Sequence, residues 1–180
     1  MKKVLISAFK PFYKSVNNYS FEVLNYINNE YVDKKVIDVV YDECFKELSE
    51  SGLDNYNLII ALGEARSRKI LTFEKRALNL SSCSIADNKN NFKSNEVIDI
   101  NCPEYLETSL DLEQLKEFGD VSYDAGKFVC NNMYFHLLKF DRTRTLFIHI
   151  PECNNDVELY KQYGEYIDKV IDILLKQLEG

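Results

Sequence analysis

Apolar residues in this chain fall into two patterns: short unbroken runs, and longer stretches in which they recur every three or four positions. The first marks a strand buried on both faces, the second a helix with one face on a core. Lys3 to Ala8, ended by the turn Phe9-Lys10-Pro11-Phe12, predicts a first buried strand. A helix capped by Asn18 or Ser20 follows, with Phe21, Leu24, Ile27 and Tyr31 on its apolar face. Lys35 to Tyr41 predicts a second strand, Asp42 to Ser49 a helix, and Tyr56 to Leu62 a third strand that ends at Gly63. This βαβαβ order predicts a parallel sheet with helices on both faces. Arg68 to Leu80 reads equally well as two strands with a turn or as one irregular strand, because Glu74-Lys75-Arg76 breaks its apolar face.

Ser81 to Asn101 is rich in Asn, Asp, Ser and Lys and predicts a long surface excursion. Pro103 is expected to open a helix that Gly119 stops near Phe118, before a very short strand at Val121 to Tyr123. Gly126 permits a tight turn into a helix from Val129 to Phe140, followed by a buried strand, Thr145 to Ile150, that ends at Pro151. Asp156 to Leu178 completes the chain as a long amphipathic helix. The expected fold class is α/β: a three-layer α/β/α sandwich around a mostly parallel, mixed sheet, with residues 1–180 in one domain.

Composition agrees with that picture and narrows the partners. A chain of 180 residues with 46% hydrophobic content can bury most of the surface it exposes when unfolded, without disulfide or metal staples. A net charge of -7 argues against nucleic-acid and anionic-membrane partners, which need a positive field. The apolar run at the amino terminus is too short for a signal segment, and no stretch is long enough to span a bilayer, so a cytoplasmic location is expected. Five cysteines without CxxC spacing, beside only two histidines, favour neither a disulfide framework nor a zinc site. No cofactor is called for.

The chemistry concentrates at Phe128-Val129-Cys130-Asn131-Asn132 and at His149 in Phe147-Ile148-His149-Ile150-Pro151. In the first turn of a helix, Cys130 would meet unpaired amides and the positive end of the helix dipole, which favour a thiolate and can cradle an oxyanion. His149, at the carboxyl end of a predicted central strand, sits where ligands collect in parallel sheets and is placed to act as base and acid. Glu74 would orient the imidazole. The plain alternatives are a small buried cysteine, a satisfied core histidine and a surface ion pair at Glu74. His136 lies in the middle of the helix that Cys130 begins, on a different part of its surface, and reads as structural.

Six segments, in order and at compatible distances, resemble the pyroglutamyl peptidases (pyrrolidone-carboxylate peptidases), cysteine peptidases that remove an amino-terminal pyroglutamate. They are Ala8-Phe9-Lys10-Pro11-Phe12, Asn18-Tyr19-Ser20-Phe21-Glu22, Gly63-Glu64-Ala65-Arg66-Ser67-Arg68, Phe73-Glu74-Lys75-Arg76-Ala77-Leu78-Asn79, Ser122 to Asn131 and Ile148-His149-Ile150-Pro151; Ile85-Ala86-Asp87-Asn88 matches a further motif. The resemblance implies Cys130 as nucleophile, His149 as base and acid, and Glu74 as its orienting partner. It implies Phe9 and Phe12 as the two faces gripping the flat lactam, with Asn18, Glu64, Phe128 and Val129 at the same pocket. It also implies a peptide substrate with a blocked amino terminus, and a homo-oligomer.

The chain departs from the family's pattern around the pocket. Glu64 stands where the family has glutamine, Arg66 and Ser67 replace a pair of glycines, and Tyr13-Lys14 replace another. Ser84 replaces an arginine near the triad glutamate, a cation that Arg66 is expected to restore from another direction. Glu64, which when ionised can only accept hydrogen bonds, could oppose an oxyanion or attract a cationic amino terminus. Other readings are a hydrolase of a different small amino-terminal cap, a catalytically weak binding protein of the same fold, and a flavodoxin-like nucleotide binder, the last lacking a phosphate-cradling glycine run.

Overall fold

The computed structural model describes residues 2–180. Its centre is a six-stranded sheet built from β1 (Val4–Phe9), β2 (Val32–Ile37), β3 (Leu58–Glu64), β4 (Thr72–Glu74), β9 (Asp120–Ser122) and β10 (Thr145–Ile150). The spatial order is β2-β1-β3-β10-β4-β9, and every neighbouring pair is parallel except β10 with β4. β1 and β10 are buried at every position, which is why each appears as an unbroken apolar run.

The two faces are separated by residue parity. Val4, Ile6, Leu58, Ile60, Leu146 and Ile148 pack under α1 (Tyr19–Leu24) and α4 (Val157–Glu179). Leu5, Ile59, Ala61 and Phe147 pack under α2 (Glu43–Ser49) and α3 (Val129–Asp141). Gly63, His149 and Glu74 occupy the α3 side by the same alternation. The three-layer α/β/α sandwich with a mixed sheet is therefore the architecture of the chain.

Several elements differ from expectation. β2 begins three residues earlier than expected and ends at Ile37; Val39, Val40 and Tyr41 stay buried but leave the sheet to reach Asp42, whose φ is 61°. α1 stops at Leu24, so Ile27 reaches the core from beyond the helix. The Arg68 to Leu80 stretch forms two short strands, β4 and β5 (Arg76–Leu78), broken at Lys75. The polar excursion contains a hairpin of β6 (Ser81–Cys83) and β7 (Lys93–Glu96).

The helix expected from Pro103 to Phe118 is absent. In its place β8 (Tyr105–Glu107) pairs with β5, and only a 3-10 turn forms at Glu113–Leu115. Tertiary bonds claim this backbone: Thr108 N–H donates to Lys75 O at 3.0 Å, and Ser109 N–H to Arg142 O at 2.9 Å. Leu110, Leu112 and Leu115 thus seal the end of the α1/α4 core from an irregular segment.

Candidate active site

β1, β3 and β10 lie side by side and end together, and a cleft of about 370 Å³ opens at their carboxyl ends. Phe9 comes from the end of β1, Glu64 from the end of β3 and His149 from β10; Cys130 joins them from the first turn of α3. Sequence reading placed Phe12, Asn18, Phe128 and Val129 at the same pocket, and all four line it. Glu74 stands behind His149, fully buried, on the antiparallel neighbour β4. The register sets Glu74 opposite Phe147 and Thr72 opposite His149, so Glu74 and His149 form a diagonal pair on one face. His149 Nδ1 lies 2.7 Å from Glu74 Oε1.

The position of Cys130 is over-determined. α3 starts after Phe128 in extended backbone, and Cys130 is its second residue. Asn131, fully buried, donates to Leu78 O at 2.9 Å and Leu80 O at 3.1 Å and accepts from Leu78 N–H at 2.8 Å. Asn132 accepts from Asp42 N–H at 3.0 Å and donates to Asp42 Oδ1 at 2.9 Å. One turn further, Tyr134 Oη donates to Glu74 O at 2.7 Å, tying the helix of Cys130 to the strand of Glu74. On β3, opposite His149, Gly63 leaves room for the sulfur, since a Cβ there would fall 2.7 Å from Cys130 Sγ.

The start of α3 favours a Cys130 thiolate, but the surroundings of the sulfur act the other way. Burial pushes it up to about 12, and the nearby Glu64 and Glu74 carboxylates add to that rise. Burial and the two negative neighbours thus both oppose the thiolate that the helix start favours.

Glu64 does not project a free charge. Its Oε2 accepts from Tyr19 N–H and its Oε1 from Arg66 Nε, each at 2.7 Å, and the side chain is 3% exposed. Arg66 is held further by Ser15 Oγ at 3.0 Å and lies over the Tyr19 ring. The expectation that Arg66 supplies a cation to the triad glutamate is therefore corrected: Arg66 pairs with Glu64, while Arg68 reaches Glu74 Oε1 at 3.2 Å. Sequence reading missed Arg68 in this role, although a glutamate in a buried strand needs a partner.

The pocket walls are aromatic. Phe12 and Phe128 meet with ring centroids 5.6 Å apart, and Tyr41 abuts Phe128 edge-on at 5.5 Å. Asn18 supports this wall from beneath: it caps α1 by accepting from Ser20 N–H at 3.0 Å and donates to Lys10 O at 3.2 Å. Ser20 Oγ accepts from Phe9 N–H at 3.1 Å. His136 lies apart, 3.1 Å from Asp42 Oδ1 and stacked on Phe45, in agreement with a structural role.

A sequence profile described as pyroglutamyl peptidase matches residues 2–166. The chain belongs to the pyroglutamyl peptidase family. It is 29% identical to the pyrrolidone-carboxylate peptidase of Brachyspira hyodysenteriae over 98% of this chain and 95% of that protein. It is 33% identical to that of Bacillus subtilis over 83% of this chain and 78% of that protein. Pyroglutamyl peptidase I of Bacillus amyloliquefaciens has the same fold, with a TM-score of 0.84 at 26% identity, covering 94% of this chain and 96% of that one. This member of the pyroglutamyl peptidase family thus shares the architecture of that solved relative.

Proposed function

We propose that this protein is a cysteine peptidase that removes an amino-terminal pyroglutamyl residue from peptides through Cys130, with His149 as base and acid and Glu74 as the group orienting it. The observation that carries this reading is the 2.7 Å His149–Glu74 bond beside Cys130 in one aromatic-walled cleft. With Nδ1–H committed to Glu74, Nε2 is left as the basic nitrogen facing the cleft. As Cys130 Sγ attacks the pyroglutamyl carbonyl carbon, its proton passes to His149 Nε2. The amides at the start of α3 receive the oxyanion. Collapse breaks the C–N bond, His149 returns the proton to the leaving amine, and a thioester remains. Water then attacks, giving its proton to His149; the thioester C–S bond breaks, and His149 reprotonates the sulfur to free pyroglutamate and restore the thiol.

A small uncharged lactam suits this cleft, because Phe9, Phe12 and Phe128 offer apolar faces. Glu64 is committed to Tyr19 and Arg66, which favours a neutral, blocked terminus over a cationic one. Free thiols and the absence, among the described residues, of a helix long and apolar enough to cross a membrane support work in the reducing cytoplasm. The homo-oligomer that the resemblance implies is tested by sedimentation. Hydrolysis of a pyroglutamyl fluorogenic amide by the wild type and Cys130→Ala tests the activity. Turnover lost in the variant is the expected result; no turnover by folded wild type overturns the peptidase reading, and equal turnover by both overturns the role of Cys130.

A further inference from the structure

Glu74 is buried completely, yet its Oε2 has no hydrogen-bond partner among the described residues. Its Oε1 accepts from His149 and from Arg68 Nη2. A carboxylate so enclosed carries a desolvation cost that a neutral imidazole does not offset. The groups that face it are His149 from β10, the guanidinium of Arg68 from the loop after β3, and the Cys130 thiol and Tyr134 hydroxyl from α3. Arg68 alone among them is a permanent cation.

The same Nη2 reaches Ser122 Oγ at 3.0 Å and Asp124 O at 2.7 Å, so its two hydrogens are shared among three oxygens. Ser122 ends β9, and residues 124–128 wall the cleft before leading directly into the first turn of α3. One guanidinium nitrogen therefore joins the acid of the proposed triad to the segment that delivers the nucleophile and its amides.

We infer that Arg68 is a positioning residue of this active site: it pairs its guanidinium with Glu74 beneath His149 and fixes the 122–126 segment against it. This rests on the triad reading above. Arg68 touches no reacting atom in this scheme and acts through Glu74 and through the Asp124 carbonyl. Its two functions separate by substitution, since lysine keeps the charge, glutamine keeps a hydrogen-bond donor without charge, and Ser122→Ala removes an acceptor while leaving the charge in place.

The test is the pH profile of kcat/KM on a pyroglutamyl amide. Removing the cation makes proton uptake by the buried Glu74–His149 pair easier, so Arg68→Gln is expected to move the acid limb upward by about one pH unit. That shift corresponds to about a tenfold loss on the acid limb beyond any loss on the plateau. Arg68→Lys and Ser122→Ala are expected to keep the wild-type limb while lowering the plateau. A uniform loss at every pH in Arg68→Gln, or the same limb in Arg68→Gln and Arg68→Lys, overturns the inference. If Arg68→Gln does not fold, the inference is overturned by an upward limb shift in Arg68→Lys or Ser122→Ala, both of which retain the cation. Wild type without turnover instead removes the peptidase reading, so the two failures are distinguishable.

Discussion

A methyl group added at Gly63 would fall 2.7 Å from both the Cys130 sulfur and the Phe147 ring, distances that real Cβ atoms do not tolerate. The ring is fixed in the α2/α3 core, so the sulfur must move. Gly63→Ala is expected to lower kcat/KM by about 10- to 100-fold, because misplacement of the sulfur by about 1 Å is that costly, and to lower the melting temperature as well, because the contact with the Phe147 ring overpacks the core. Steady-state kinetics beside thermal unfolding separates the two effects. Glu64 acts on the same sulfur by charge. Its carboxylate is among the groups pushing the thiol up, so Glu64→Gln should shift the rate of iodoacetamide alkylation against pH toward lower pH. A curve unchanged by the substitution would remove Glu64 from the control of Cys130. Tyr13 adopts φ 56° where the resembling family places glycine, a left-handed conformation that costs a side-chain-bearing residue about 1–2 kcal/mol. Tyr13→Gly relieves that strain but adds unfolded-state entropy, so it should leave stability unchanged or slightly raised, as read by urea unfolding.

The helix that begins at Val129 shows what a motif conceals. Asn131 and Asn132 follow Cys130 in the chain, and neither lines the cleft. They staple the helix start to β5 on one side and to the entry of α2 on the other. Asn131→Ala strands buried backbone groups at Leu78 and Leu80 and should cost about 2–4 kcal/mol by denaturant unfolding. The Asp42 staple carries a pH signature. The His136 hydrogen bond, followed by that from Asn132, lowers the Asp42 carboxyl to about 2. The staple therefore contributes stability above the ordinary carboxylate value near 4 and loses it as pH falls toward about 2. The stability gap between wild type and Asp42→Asn should be present at pH 6 and shrink through that window. Motif spacing pointed to Cys130, His149 and Glu74 but not to these staples, because their partners lie 53 and 90 positions away in sequence. The Pro103 segment fails for a related reason: its start signal is genuine, but β5 and the Arg142 and Thr145 carbonyls compete for its polar groups and win.

At the scale of the whole molecule, the buried central strands and the long final helix were legible because each is defined by its own periodicity. The edge strands and the polar excursion were less so, since short strands acquire their identity from a neighbour. The antiparallel sense of β4, which brings Glu74 to His149, has no sequence signature at all. The molecule's thiols share one further property. All five are free, and burial raises Cys44, Cys130 and Cys153, and to a lesser extent Cys102, toward the neutral form. Oxidants attack thiolates, so a peptidase whose thiol is pushed up by burial is expected to lose little turnover to peroxide in the absence of substrate, as residual activity after exposure would read. Its working lifetime under oxidative stress would then be set by how often the site turns over rather than by how long it waits.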